Sequence, residues 1–303
     1  MARKKKGRDL HGLLVLDKPL GLSSNHALQR VKQLFNAKKA GHTGTLDPLA
    51  TGVLVLCFGR ATKIVEHVMG LQKSYRVVAK LGEQTVTADS EGEIIKTEQV
   101  TTEHLQEFAN TALQFVGEIE QLPPMYSALK KDGVPLYKIA RAGKEVEREP
   151  RKVRIYSIEI ESVEYDLATM TVHCSKGTYI RTLVEDIGTK LGCGAHVKEL
   201  RRRSVGEFGL NYPMHTMEQL EQLADNNDLS ERLLLPIEAA FMCYPKVEIK
   251  EGLIQLVELG KKIKLPCSQE DEFVRIYDTN QSFRGLAQVY CGRLEQFSRF
   301  CYN

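Results

Sequence analysis

The sequence predicts an α+β protein that ends in a small β-rich unit. Three observations carry this: apolar strand-like runs recur through the chain, helical segments with one apolar face separate them, and the last sixty or so residues read mostly as strands. The segment "GLLVLDKPLGLSSNHALQRVKQLFNAK" opens as a buried strand, turns at Pro and Gly, and continues as a helix. Ser23 or Ser24 can cap that helix by accepting from a free backbone N–H of the first turn. Ala27, Leu28, Val31, Leu34 and Phe35 then share one helical face. Strands are predicted at "GVLVLCFG" and at "YRVVAKLG", where Tyr75, Val77, Ala79 and Leu81 alternate with other residues. "EHLQEFANTALQFVG" predicts a second amphipathic helix, with Leu105, Phe108, Ala109, Ala112 and Val116 on one side and Gly117 as its end.

From Gln121 to Pro150 the chain carries four prolines, six lysines or arginines and little periodicity, so it reads as an excursion from the core. Strand alternation returns in "KVRIYSIEIESVEYD" and "TMTVHCSKGTYIRT", and the second runs into a helix, "LVEDIGTKLGCG", with Leu183, Ile187 and Leu191 at four-residue spacing. Thr216 and Gln219 predict a capping box ahead of a further helix. "EFVRIYDT" and "GLAQVYCGRLEQF" supply the strands of the terminal unit.

At 303 residues and 42% hydrophobic content, the chain can build a sizeable core and hold two domains. A net charge of +3 does not by itself establish a polyanionic partner. The start, "MARKKKGR", packs five cations into eight residues with no apolar run after them, unlike a signal peptide. A solvated tail and a nucleic-acid contact both fit it. No apolar run approaches the roughly 20 residues that span a bilayer. Seven cysteines, odd in number and without a CxxC pair, argue against a disulfide scaffold or a zinc site. A reduced, cytoplasmic protein without a structural metal is expected.

The segment "AGHTGTLDPLATGVLVLCFG" sets one acid, Asp47, among small, hydroxylic and apolar residues. Taken alone, the loop is accounted for more readily by an Asx turn before Pro48 than by chemistry. Gly41, Gly44 and Gly52 fit neither phosphate-loop spacing. A second cluster, "CSKGTYIRTLVEDIG", places Lys176, Tyr179 and Arg181 where a strand gives way to a helix, and a guanidinium there can hold a carboxylate. The run Arg201, Arg202, Arg203 suits solvent or phosphate, and Tyr75 taken alone reads as a core aromatic.

The combination "LDKPLGLSS", "KKAGHTGTLDPLATGVL", "KSYRVVAKLG", "SKGTYIRTLVEDIG" and "HVKELRRRSVG", in that order, closely resembles the bacterial tRNA pseudouridine synthase B family. The likeness is dense over about the first 210 residues and weak beyond Pro245. It implies a catalytic domain over 11–244 with a mixed, mostly antiparallel sheet and flanking helices. A PUA-like RNA-binding domain over 245–303 and a basic tail over 1–10 complete the implied organisation. The implied activity is isomerisation of uridine to pseudouridine at position 55 of the tRNA T loop, without cofactor, by a monomer with no membrane or protein partner.

By the same resemblance, Asp47 matches the essential aspartate, Arg181 the arginine beside it, and Tyr75 the tyrosine that stacks on the target base and helps move the C5 proton. The target nucleotide is turned out of its loop to reach the carboxylate. His42 matches the residue that fills the gap, while Tyr179 and Leu200 match positions lining the uracil pocket. Lys18 and Pro19 match a motif packed beneath the active-site loop, where support more than chemistry is expected, and Gly44 of that loop is counted with the substrate-binding positions. Residues 121–150 correspond to a thumb that closes over RNA, and Arg201, Arg202 and Arg203 are expected to add phosphate contacts. The family often has Gly-Ala-Leu where this chain has Gly44-Thr45-Leu46, which adds a hydroxyl beside the aspartate. Two other readings share these residues: a synthase whose uridine is chosen by a guide RNA, and an RNA-folding chaperone with incidental catalysis.

Overall fold

A computed structural model describes residues 7–264 and 273–299. Most of the basic start, together with Cys267 and Cys301, lies outside the described residues. In chain order the first half holds β1 (Gly12–Lys18), α1 (Ser24–Leu34), β2 (Ala40–His42), β3 (Ala50–Phe58), α2 (Val65–Gly70), β4 (Lys73–Leu81), β5 (Glu83–Thr85), β6 (Ile94–Thr97), α3 (Thr102–Leu113) and β7 (Gly117–Gln121). Then come β8 (Lys130–Lys131), β9 (Val134–Pro135), α4 (Leu136–Arg141), β10 (Arg151–Glu164), β11 (Leu167–Cys174), α5 (Ile180–Leu191), β12 (Ala195–Val205), β13 (His215–Thr216) and α6 (Met217–Asp225). The terminal unit adds β14 (Lys246–Glu248), α7 (Glu251–Glu258), β15 (Phe273–Tyr277), β16 (Phe283–Tyr290) and β17 (Arg293–Arg299).

The main sheet runs β13-β1-β3-β12-β4-β11-β10-β7, with β2 added against β3. Only β1 with β13 and β12 with β3 are parallel, so the sheet is mixed and mostly antiparallel. Period-two alternation divides its apolar residues between two faces. Leu14, Leu16, Leu54 and Leu56 pack with Ala27, Leu28 and Val31 of α1, whereas Leu13, Val15, Val53 and Val55 pack with Ile237, Phe241, Tyr277 and Phe283. Farther along the sheet, Val77, Ala79, Met170 and Val197 meet Phe108 of α3 and Leu183 and Ile187 of α5. The terminal unit has a four-stranded sheet, β14-β15-β16-β17, with its own core around Val274, Ala287 and Ile254.

The expected caps form. Ser23 accepts from His26 N–H at the start of α1, and Thr216 and Gln219 make the reciprocal capping box of α6. One expected boundary is wrong. α3 stops at Leu113 because the chain tightens into three-residue turns, with Phe115 N–H on Ala112 O and Val116 N–H on Leu113 O. Phe115 therefore reaches the core in place of Val116, which is exposed, and Gly117 opens β7 with φ +120° instead of ending the helix.

Candidate active site

The loop between β2 and β3 is pinned from three directions. Thr43 N–H donates to Val55 O at 3.0 Å, and Ala50 N–H to Asp47 O at 3.0 Å. From α1, the buried Ser24 hydroxyl accepts from Leu46 N–H at 2.7 Å and lies 3.0 Å from Leu46 O, to which it donates. From beneath, the Lys18 ammonium bonds Leu22 O at 2.6 Å, Pro19 O at 2.9 Å and Pro48 O at 3.4 Å. Gly44 and Gly52 hold φ values of +97° and +99°, and a Cβ on Gly52 would stand 2.2 Å from Arg202 O. Both positions therefore need glycine. Ser24→Ala removes both Leu46 contacts from a buried site, so unfolding free energy measured by urea titration is expected to fall by about 1–3 kcal/mol.

This frame presents Asp47 to a cavity of about 360 Å³. Arg181, in the first turn of α5 and buried, lies with Nε 3.0 Å from Asp47 Oδ2. Its Nη1 sits 3.3 Å from Asp89 Oδ2 and donates to Thr87 O at 3.0 Å, while Nη2 donates to Tyr126 O at 2.7 Å. One guanidinium thus serves two carboxylates and two carbonyls. Asp89 is 2% exposed and is itself held by the Thr87 hydroxyl at 2.5 Å and Glu91 N–H at 3.1 Å.

Of the residues singled out in the sequence, Gly44, Asp47, Tyr75, Tyr179, Arg181, Leu200 and Arg202 meet at this cavity. Tyr75 and Leu200 are buried in its wall, on β4 and β12. Tyr179 caps α5, where its backbone exchanges hydrogen bonds with the Gln121 side chain at 3.0 and 3.3 Å. Ser127, Ala128 and Leu129 bring the 121–150 excursion up to the same space. Lys18 and Pro19 lie beneath the loop and do not line the cavity, and neither does His42 at the end of β2. His42 Nδ1 is buried and makes no hydrogen bond of good geometry among the described residues, with the Gly44 backbone as a weak contact of the ring.

The arginine run does not behave as a unit. On β12, Arg202 points inward with Leu200 and is 2% exposed, donating from Nε to Val53 O at 2.7 Å. It therefore stands on the cavity wall and not on the outer surface that the run suggests. Arg201 faces the other side and grips Asp17 with two hydrogen bonds, at 2.9 and 2.7 Å, so its fork is already occupied. Arg203 alone is exposed. Strand periodicity, not the count of cations, decides their fates.

Burial raises the Asp47 carboxyl above the ordinary carboxylate range, and Asp89 adds to this, while Arg181 and Lys18 pull the other way. The same desolvation brings the Lys18 ammonium down to about 8, with Asp47 opposing it. Burial pushes the Tyr75 phenol up, with Arg202 as the main opposing charge. His42 is lowered by burial and then by Arg202, so its imidazole is favoured in the neutral form. Falling pH should therefore protonate Asp47 sooner than an ordinary aspartate, and any chemistry that uses its carboxylate would be lost with it. The acid limb of kcat/KM is expected above the ordinary aspartate value of about 3.9, and a limb at or below that value would contradict the raised assignment.

Asp89 and Lys73, which also lines the cavity, were not singled out in the sequence. Asp89 stands in "TVTADSEG", which reads as an ordinary polar turn, and no single-sequence signal distinguishes its burial. Among the described residues no group of three or more His, Cys, Asp or Glu side chains could hold a metal ion.

Residues 32–180 match the family described as TruB family pseudouridylate synthase (N terminal domain). Residues 181–242 match the tRNA pseudouridylate synthase B C-terminal domain, and residues 245–295 match Pseudouridine synthase II TruB, C-terminal. A protein of Pseudomonas fluorescens named tRNA pseudouridine synthase B is 48% identical over 288 residues, covering 94% of each chain. One of the same name from Vibrio cholerae serotype O1 is 47% identical over 301 residues, covering 95% of each. Among solved structures, a Cbf5-Nop10-Gar1 complex aligns at TM-score 0.74 and 25% identity, over 96% of this chain and 85% of that one. An H/ACA RNP bound to a substrate RNA containing 2'-deoxyuridine aligns at TM-score 0.73 and 22% identity, over 100% and 92% of the two chains.

Proposed function

The chain belongs to the TruB family of pseudouridylate synthases, and we propose that it isomerises the uridine at position 55 in the T loop of tRNA without a guide RNA. The observation that carries this reading is Asp47 held 3.0 Å from Arg181 beside a base-sized, largely apolar cavity. The reaction breaks the N1–C1′ bond, turns the uracil while it stays bound, and joins C5 to C1′. Every atom of the substrate is retained, so the chemistry needs a well-placed carboxylate and no consumed cofactor.

In this reading Asp47 acts on the everted nucleotide as nucleophile or base, and Arg181 orients it and favours its ionised form. Tyr75 and Leu200 supply flat and apolar walls for the uracil, and Tyr179 closes the side next to Ser127. His42, neutral and outside the cavity, suits the gap left in the RNA stack by the departed nucleotide. Lys18 and Pro19 support the loop from below. Residues 121–150 form the RNA-gripping thumb of a catalytic domain over 11–244, and 245–303 a PUA-like RNA-binding domain. The enzyme works as a cytoplasmic monomer, and no described helix is long and apolar enough to cross a membrane.

Incubation of the purified protein alone with unmodified tRNA transcript, followed by chemical mapping of pseudouridine, tests the proposal. Modification of the T-loop uridine is expected. Modification that appears only when a guide RNA is added, or none at all, would overturn it.

A further inference from the structure

The cavity has a second charged side, which the roles above leave unused. Lys73 opens β4, two residues before Tyr75, so strand alternation puts both side chains on the face that carries the cavity. Lys73 is 8% exposed, and its ammonium donates to Met69 O at 2.8 Å and Leu71 O at 2.5 Å. Those two carbonyls, at the end of α2, fix the ammonium and leave its third N–H without a partner among the described residues. No carboxylate lies within ion-pair distance of it among them either. Its strongest charged neighbour is Arg202, a second cation on the same cavity; the buried Cys174 thiol pulls the other way, and Lys176 also repels it. A desolvated cation without a counter-charge is costly, and such sites recur where an anionic group is to be met.

The isomerisation creates such a group. When N1–C1′ breaks, the bonding electron pair leaves with the base, and the negative charge spreads over N1, O2 and O4 of the uracil. The ring stays in the cavity while it turns, so the charge must be stabilised there, away from bulk water. Resting on the function proposed above, we propose that Lys73 is a catalytic residue whose free N–H hydrogen-bonds the uracil ring and stabilises this anion. The ammonium keeps its proton throughout. The electron pair returns to bonding when C5 attacks C1′, and the C5 proton then leaves to a separate base. A fixed donor in a site closed to water is where such stabilisation is strongest, because it needs no reorganisation as the charge develops.

The test compares leaving groups. Lys73→Gln keeps two N–H donors for the Met69 and Leu71 carbonyls but removes the charge, and Lys73→Arg keeps the charge. Single-turnover consumption of the target nucleoside is measured on tRNA transcripts carrying uridine or 5-fluorouridine, whose fluorine makes the detached base a more stable anion. Relative to wild type, Lys73→Gln is expected to slow uridine conversion about 100-fold and 5-fluorouridine conversion about 10-fold or less. Affinity for tRNA should stay within about threefold, and Lys73→Arg should recover most of the rate. Equal slowing on both substrates, or no slowing, would overturn the proposal. A loss of affinity with a flatter salt dependence would overturn it in favour of a backbone phosphate contact. Thermal melting of each variant separates these outcomes from misfolding, and Lys73→Met, which also removes the charge, takes the place of Lys73→Gln should that variant fail to fold. In that case greater slowing of uridine than of 5-fluorouridine conversion in Lys73→Met supports the role, and equal slowing of both counts against it. Failure of the wild-type enzyme on uridine would instead remove the parent function.

Discussion

Asp47→Asn is expected to lower isomerisation by roughly 10⁴-fold or more while leaving tRNA affinity within about threefold. The amide keeps the shape of the side chain and can still accept from Arg181 Nε, which lies 3.0 Å from the carboxylate, but it has neither the charge nor the nucleophilic oxygen. Binding energy comes from the rest of the RNA surface, so it should survive. Stability gives a second check with a definite sign. A carboxyl whose folded pKa is raised costs stability in its ionised form at any pH above its unfolded value, and that cost is absent once both states are protonated. Removing the charge should therefore leave the melting temperature at pH 7 unchanged or higher. Tritium release from RNA labelled at C5 of uridine measures the turnover, and appreciable release by the variant would refute the role assigned to Asp47.

How much of this was legible in the sequence depends on whether the cause is local or distant. The α1 face of Ala27, Leu28, Val31 and Phe35 and the β4 series of Tyr75, Val77, Ala79 and Leu81 follow from backbone period alone, and both are buried as the pattern requires. The capping residues are legible for the same reason, since a cap is settled within three residues. The site is another matter. Asp47 and Arg181 come together because the loop before β3 and the start of α5 meet across the sheet, and residue pattern alone left Asp47 open between a turn and chemistry. It was the family resemblance that paired them. Asp89 escaped both routes, because its burial depends on where the β5–β6 turn packs. Arg202 is instructive. Its inward direction follows from strand alternation with Leu200, whereas in the sequence a run of three arginines reads as one patch of charge.

Two substitutions on either side of Asp47 should move its ionisation in opposite directions. Arg181→Lys keeps a positive charge, but a single ammonium cannot reproduce the four contacts to Asp47, Asp89, Thr87 and Tyr126. Weakening a buried ion pair of this kind costs on the order of 3 kcal/mol, equivalent to about a 100-fold loss in turnover if it falls on the transition state. Because Arg181 is buried, tRNA affinity should change little. The guanidinium lowers the Asp47 pKa, so the acid limb of the rate profile should shift to higher pH and part of the loss should return as pH rises. Asp89→Asn acts with the other sign. It removes a carboxylate that raises the Asp47 pKa but keeps an oxygen for Arg181 Nη1, so the limb should shift to lower pH. Rate profiles of kcat/KM for the two variants decide the matter: displacement in the same direction, or equal losses in affinity and turnover for Arg181→Lys, would show that Arg181 holds the fold of the cleft without governing the charge on Asp47.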